Sequence, residues 1–259
     1  MSRHSDTSDH ESFTVGDRPR VMASSGVADL SVTVGEPGSV EVHFPSGGGD
    51  RYRIQQSGDR ITIRPEERTG LRTSISIELA VPPATDVKLA TASGDIEVVG
   101  EVNDVDVSSA SGDVHIAGAG GAVRIKSASG DIDVGDTDDM VEVTTVSGDV
   151  RLGDASGSVT IHTASGDIRM SGLDDICAVN SVSGDVAVRR CDASDISVRT
   201  MSGDVVLGLP SRRRVELDFE SVAGDMRNDI EPGSGGEPAS TISIRCRSVS
   251  GDLTLRSCE

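Results

Sequence analysis

Ser93-Gly94-Asp95-Ile96 is the most informative motif of the sequence, because it recurs along the rest of the chain. Successive copies are 18 residues apart at first, then 19 residues apart. The copies begin at Ser93, Ser111, Ser129, Ser147, Ser165, Ser183 and Ser202, with irregular copies at Ala223 and Ser250. A short and constant repeat length is typical of solenoid proteins, in which each repeat stacks on its neighbours.

Each 18-residue repeat also contains two pairs of apolar residues. In one repeat they are Val105 with Val107 and Val114 with Ile116. The two members of a pair are two residues apart and therefore point to the same face of a strand. Parallel stacking of the same strand in successive repeats, about 4.8 Å apart, would align each apolar residue with its copies. We therefore predict an all-β fold, a parallel β-helix or β-solenoid with coils of about 18 residues. A short third side is predicted at Ala119, Ala155, Leu173 and Cys191.

Each Ser-Gly-Asp copy is predicted to form a corner of the coil. Glycine supplies a backbone conformation that other residues reach only at a cost. The aspartate can accept backbone N–H groups within its own turn, and the serine can add a hydroxyl. The residue before each copy is Ala, Val or Met. The predicted structural turn residues are Gly94, Asp95, Gly112, Asp113, Gly130, Asp131, Gly148, Asp149, Gly166, Asp167, Gly184, Asp185, Gly203 and Asp204.

Stacked corners would place these aspartates in a file. Carboxylates about 5 Å apart repel each other by about 1 kcal/mol in a water-like dielectric, so the file must gain hydrogen bonds or recruit cations. Calcium is the less favoured alternative, because the nine-residue repeat that binds Ca²⁺ in β-rolls carries a Gly-Gly-x element that this chain lacks. We predict structural turns with no metal site and no cofactor.

The chain divides into four predicted segments. Residues 1–11 are polar and are predicted to be a disordered tail. Residues 12–85 alternate irregularly and should form N-terminal coils and a cap, and residues 86–209 contain the regular repeats. Residues 210–259 should form irregular C-terminal coils with a Gly/Pro-rich insertion at 227–240. The closing coil, which contains Ile244 and Leu253, is predicted to cap that end.

The charge and composition limit the possible partners. The net charge is −19 and the aromatic content is 2%, so neither electrostatic attraction nor base stacking favours a nucleic-acid partner. Anionic membranes are disfavoured for the same electrostatic reason. The run Arg212–Arg214 is interpreted as a solvated loop. No signal peptide and no apolar run of about 18 residues is present, and we expect a cytoplasmic protein.

Catalytic and metal-binding patterns are weak in this sequence. No nucleophile and base can be paired by spacing, no two carboxylates stand out as an acid–base pair, and the cysteines have no zinc-type spacing. We expect a non-enzymatic protein with reduced, structural thiols. The histidines are His4, His10, His43, His115 and His162, and the cysteines are Cys177, Cys191, Cys246 and Cys258.

Two runs suggest a family. They are Ile75-Ser76-Ile77-Glu78-Leu79-Ala80-Val81-Pro82 and Asp86-Val87-Lys88-Leu89-Ala90-Thr91-Ala92-Ser93-Gly94-Asp95-Ile96. With the later Ser-Gly-Asp copies, they resemble the bacterial β-strand-repeat family known as putative adhesins, a domain of unknown function. The resemblance extends from about Phe13 over nearly the whole chain. It implies a right-handed parallel β-helix and no established catalytic residues.

Three functions fit these observations. The leading one is a non-enzymatic scaffold for interaction or assembly, which binds an unknown protein partner or associates with itself through its coil ends. A cell-surface adhesin and a carbohydrate-active β-helix are the alternatives.

Overall fold

The computed structural model describes residues 9–66, 75–210, 213–230 and 241–258. The chain divides into two compact units, Met1–Gly130 (unit 1) and Asp131–Glu259 (unit 2). Within the described ranges the regular structure is β-strand, apart from one short 3-10 turn at Gly49–Arg51. The described residues form no apolar helix of membrane-spanning length.

Unit 1 contains two sheets. Sheet A has the strand order β1-β4-β7-β3-β9-β11, and sheet B has the order β5-β6-β2-β8-β10-β12. The pairs β1–β4, β4–β7 and β5–β6 are antiparallel, whereas the stacked repeat strands are parallel. The strands are β1 (His10–Thr14), β2 (Arg20–Ser25), β3 (Ala28–Val34), β4 (Ser39–His43), β5 (Tyr52–Ser57), β6 (Arg60–Pro65), β7 (Ile75–Val81), β8 (Asp86–Ser93), β9 (Ile96–Val99), β10 (Val105–Ser111), β11 (Val114–Ala119) and β12 (Val123–Ser127).

Unit 2 also contains two sheets, and their recorded strand pairs are all parallel. Its sheet A has the order β13-β15-β17-β19-β21-β25-β23, and its sheet B has the order β14-β16-β18-β20-β24-β22. The strands are β13 (Ile132–Thr137), β14 (Val141–Thr144), β15 (Val150–Ala155), β16 (Val159–His162), β17 (Ile168–Leu173), β18 (Cys177–Asn180), β19 (Val186–Cys191), β20 (Asp195–Arg199), β21 (Val205–Pro210), β22 (Arg214–Ala223), β23 (Met226–Asp229), β24 (Thr241–Ser250) and β25 (Leu253–Cys258).

The strand register follows the sequence repeat. Val105 pairs with Val123 and Val107 with Ile125, and all four side chains are at most 1% exposed. Each apolar residue thus contacts its own copy in the next coil, which buries a continuous column of Val and Ile. The prediction of an all-β, solenoid-like fold with parallel stacked strands is confirmed.

The predicted short third side is wrong. Leu173 pairs with Ala155 on one side and Cys191 on the other, within strands β15, β17 and β19 of sheet A. All three residues are at most 1% exposed. The sheet A strands run on through these positions because the small or apolar side chains still face the core.

The order of the coils at the two chain ends was not predicted. In unit 1, the coil formed by β2 and β3 lies between the coil of β6 and β7 and the coil of β8 and β9. In unit 2, the coil of β24 and β25 lies between the coil of β20 and β21 and that of β22 and β23. The predicted cap at Ile244 and Leu253 is therefore wrong, since both side chains are at most 1% exposed inside the stack.

The outer part of unit 1 is closed by antiparallel strands and an aromatic pair. Phe44 and Tyr52 are each 1% exposed, with ring centroids 5.4 Å apart. The Tyr52 hydroxyl lies 2.8 Å from the Ser25 hydroxyl, so its polar group is satisfied while its ring is buried. Strand β1 begins at His10, two residues inside the predicted tail, and residues 1–8 of that tail lie outside the described residues. Residues 231–240 of the predicted insertion also lie outside them, whereas Met226–Asp229 form β23.

Candidate functional site

The Ser-Gly-Asp corners stack so closely that only glycine fits. Gly112 has a φ of 117°, and a Cβ on it would overlap the carbonyl oxygen of Gly94. Gly166 has a φ of 120°, and a Cβ there would overlap the carbonyl oxygen of Gly148. Both the left-handed conformation and the close approach thus require glycine. The predicted turn glycines all have positive φ: Gly94, Gly112, Gly130, Gly148, Gly166, Gly184 and Gly203.

We had expected each aspartate to accept an N–H group within its own turn. Instead, the aspartates form a ladder of hydrogen bonds between successive coils. The Asp113 N–H donates to Asp95 Oδ1 at 2.9 Å in unit 1, and the Asp167 N–H donates to Asp149 Oδ1 at 2.9 Å in unit 2. Parallel stacking places the N–H of the next coil within reach of each carboxylate, so the bond is made along the stack. The same bond joins Asp131 to Asp149, Asp167 to Asp185, Asp185 to Asp204, Asp204 to Asp252 and Asp252 to Asp225.

In six of the seven regular copies a hydroxyl closes the turn, and it belongs to a residue two positions before the serine of the motif; the buried Ser181 Oγ of the remaining copy has no hydrogen-bond partner. Thr91 Oγ1 donates to the Ser93 carbonyl oxygen at 3.1 Å, and Thr163 Oγ1 donates to the Ser165 carbonyl oxygen at 3.1 Å. The same bond recurs from Ser109, Ser127, Thr145 and Thr200. The predicted glycines and aspartates therefore occupy the same two positions in each repeated corner. The Ser or Thr that precedes them also belongs to the corner, a role that we did not predict from the sequence.

Arginines balance part of the ladder charge in unit 2. Arg151 lies 3.4 Å from both Asp131 Oδ2 and Asp149 Oδ2. Arg169 lies 3.4 Å from Asp149 Oδ2 and 2.8 Å from Asp167 Oδ2. The arginine side chains are about half exposed, so each pair contributes little to stability. Among the described residues, no group of three or more His, Cys, Asp or Glu is arranged to hold a metal ion.

An apolar ridge runs beside the ladder in unit 2. Backbone hydrogen bonds between successive coils place its residues next to one another. The Ser165 N–H donates to the Val146 carbonyl oxygen at 3.0 Å, and the Ser202 N–H donates to the Val182 carbonyl oxygen at 2.9 Å. Five of the six side chains are large and 48–83% exposed. We define the ridge, in stacking order, as Val146, Ala164, Val182, Met201, Val249 and Val222.

The equivalent corner position in unit 1 is occupied by alanine. Ala92, Ala110 and Ala128 precede their Ser-Gly-Asp copies and are exposed. The sequence contained the signal for this difference, since Ala gives way to Val and Met in the later copies. The ridge could not be predicted from the repeat alone, because the spacing does not show that this side chain points to solvent.

Four other residues noted in the sequence, Arg213, His43, Cys177 and Cys246, make structural or surface contacts. Arg213 Nη1 donates to the Asp192 carbonyl oxygen at 2.6 Å, and Arg212 lies outside the described residues. The exposed His43 Nδ1 lies 3.0 Å from Glu78 Oε2, in a hydrogen bond at the surface. Burial raises the pKa of the Cys177 thiol to about 12 and that of Cys246 to about 11, so both are neutral thiols at pH 7.

Comparisons with known proteins agree with this fold. A family model described as Toastrack DUF4097 matches residues 23–256. A putative adhesin from Parabacteroides merdae has the same fold, with a TM-score of 0.53, 11% identity and 95% of each chain covered. A putative adhesin from Bacteroides fragilis gives a TM-score of 0.45 at 11% identity, and a putative lipid binding protein from Parabacteroides distasonis gives 0.48 at 14%, each with 95% of both chains covered. The comparison with curated proteins finds no match.

Proposed function

We propose that this chain, which belongs to the Toastrack DUF4097 family, is a non-enzymatic interaction scaffold whose apolar ridge docks a protein partner. The solenoid itself is proposed to be a right-handed parallel β-helix with coils of about 18 residues. The observation that carries the proposal is the exposed file of Val and Met side chains in unit 2. Contiguous exposed apolar surface on a soluble domain marks an interaction site.

The corner does not need these apolar side chains in order to fold. Ala110 in unit 1 occupies the same position before the same Gly and Asp, and its corner forms the same turn and the same ladder bond. The larger side chains of the ridge therefore support docking rather than folding. Met201 and Val222, 56% and 83% exposed, are the most accessible examples together with Val146.

The geometry of the ridge favours a helix as the docked element. Its residues repeat at the spacing of parallel strands, about 4.8 Å, so the six coils span about 24 Å. One turn of an α-helix rises 5.4 Å, whereas alternate residues of a strand are about 6.8 Å apart. A helix of about 16 residues with one apolar residue per turn therefore follows the ridge more closely than a strand does.

The negative charge beside the ridge predicts the charge of the partner. The aspartate ladder follows the ridge three residues later around each corner, as Asp149 follows Val146. A partner helix should consequently carry Lys or Arg next to its apolar stripe. The net charge of −19 makes a nucleic acid or an anionic membrane an unfavourable partner.

Affinity capture with variants tests the proposal. Val182→Glu and Met201→Glu place charge on the ridge at exposed positions, and Ala110→Glu is the matched control at the same corner position of unit 1. We expect wild type and the control to retain a partner that both ridge variants lose, measured by quantitative mass spectrometry of proteins captured from the native lysate. Identical protein sets from all four baits would contradict the proposal.

A designed peptide tests the chemistry of the interface directly. An 18-residue helix-forming peptide with one Leu per turn flanked by Lys should bind wild type in a fluorescence-anisotropy titration, and Met201→Glu should weaken it about tenfold. A scrambled peptide of the same composition should bind much more weakly. Equal binding of the two peptides would show a purely electrostatic contact and overturn the ridge as the docking surface.

The adhesin name of the Parabacteroides merdae protein suggests a second form of the same proposal, in which the partner lies on another cell. Cell fractionation distinguishes the two forms, since an adhesin must be recovered at the cell surface.

A further inference from the structure

A groove on the outer face of sheet A in unit 2 has an unusual lining for so acidic a protein. Its volume is about 880 Å³, which is within the range of small-molecule sites. The charged residues in its lining are Asp154 and five arginines: Arg151, Arg169, Arg189, Arg190 and Arg256. Among the lining side chains themselves arginine is thus in excess over carboxylate, whereas the whole chain has a net charge of −19. The groove and the apolar ridge have no residue in common.

The groove is concave because small side chains lie between the arginines. Ala187 and Val206, at paired positions of β19 and β21, are part of the lining together with Gly208. A Cβ on Gly208 would overlap the carbonyl oxygen of Arg189, so this position must remain glycine. The strand packing itself therefore keeps a depression between the long arginine side chains.

The arginines of the groove differ in how far they are neutralised. Arg190 is shared among three aspartates: its guanidinium lies 2.9 Å from Asp192, 3.3 Å from Asp174 and 3.5 Å from Asp154. Arg151 and Arg169 contact the ladder, as described above. Arg189 and Arg256 are exposed and form no ion pair within the described residues. These two guanidinium groups are available for an external anion.

We propose that this groove binds a compact oxyanion that carries two or more negative charges, such as the phosphate or carboxylate groups of a small molecule. The planar guanidinium donates paired hydrogen bonds to phosphate and carboxylate groups. The lining contains no aromatic side chain, so it offers no surface on which a nucleobase could stack. A long polyanion would also meet the acidic remainder of the protein, whereas a compact anion is confined to the arginines.

Isothermal titration calorimetry on the full chain tests the inference. Tripolyphosphate and citrate are the probes for phosphate and carboxylate chemistry, at about 50 mM salt. We expect saturable binding of at least one probe, weakened about tenfold or more by Arg189→Gln with Arg256→Gln. The matched control, Arg199→Gln, removes an exposed arginine of β20 in sheet B and should leave the affinity unchanged.

A steric variant separates a built groove from general surface charge. Val206→Trp keeps every charge and fills the depression, so it should abolish binding while the circular dichroism spectrum stays that of wild type. If Val206→Trp does not fold, as shown by a changed spectrum, Ala187→Leu in the same lining takes its place as the steric variant. The inference is overturned if neither probe binds, if the double arginine variant binds like wild type, or if Arg199→Gln weakens binding as much as the double variant does.

Discussion

The corners of unit 1 and unit 2 have the same backbone conformation but carry different side chains at their surface. Both have a glycine at positive φ, a carboxylate that accepts the N–H of the next aspartate, and a hydroxyl that closes the turn. The residue before the motif is Ala110 in unit 1, whereas Val182 and Met201 occupy that position in unit 2. The comparison shows that glycine and the hydrogen bonds are required by the fold, while the preceding side chain is free to serve docking.

The two units also differ in what lies next to the ladder. Two residues after the aspartate, unit 1 has Glu97 and His115, and unit 2 has Arg151 and Arg169. The backbone bonds of the ladder are present in both units at 2.9 Å. Hydrogen bonds to the backbone are thus the common stabilising element, and arginine is an addition found in unit 2.

The largest expected effect is at the corner glycines, where the two units should behave alike. Gly112→Ala and Gly166→Ala should each lower the free energy of unfolding by about 2–5 kcal/mol, because they combine a strained φ with an overlap against a backbone oxygen. Denaturation followed by circular dichroism measures this.

Gly58→Ala is the control for those variants. Its φ is 61°, but a Cβ there would have no atom within 4 Å, so only the conformational cost of about 1 kcal/mol should appear. A loss at Gly112 or Gly166 no greater than that at Gly58 would contradict the close stacking of the corners.

A smaller effect on the free energy of unfolding should distinguish the aspartate ladder of unit 2 from that of unit 1. Asp149→Asn retains the acceptor for the Asp167 N–H but loses the contacts with Arg151 and Arg169, and should cost about 0.5 kcal/mol at low salt. Asp95→Asn in unit 1 should cost nothing measurable, since it keeps its acceptor and removes one charge from the file. Repeating both denaturations in 1 M NaCl should erase the difference, because salt screens surface charges; a difference that persists would rule out an electrostatic origin.

Substitutions in the ridge should have the smallest effect on the free energy of unfolding. Met201→Ala and Val182→Ala recreate the unit 1 corner and should change the free energy of unfolding by less than about 0.5 kcal/mol, while they weaken peptide binding. Ala110→Val makes the reverse change and should be equally neutral. If Met201→Ala or Val182→Ala lowered the free energy of unfolding by more than about 1 kcal/mol, the ridge side chains would stabilise the corner, and their exposure would no longer support docking.

The spacing of the sequence motifs was enough to predict the local arrangement of the repeats. Because the 18-residue period places each residue next to its own copy, the buried pairs such as Val105 and Val123, the corner glycines and the file of aspartates could all be read from spacing alone. The partner of each carboxylate could not, since the same Asp can bond to its own turn or to the next coil, and only the stacking distance selects the second.

The order of the end coils and the two candidate binding surfaces became visible only in the folded structure. The coil of β24 and β25 lies between the coil of β20 and β21 and that of β22 and β23. No local pattern distinguishes this order from sequential stacking, because apolar side chains occupy the paired positions on both sides: Ile196 and Leu217 both pair with Ile244. The ridge and the arginine groove likewise depend on which faces of the stack remain open to solvent. Periodicity fixes which residues are neighbours, whereas exposure is set by long-range packing.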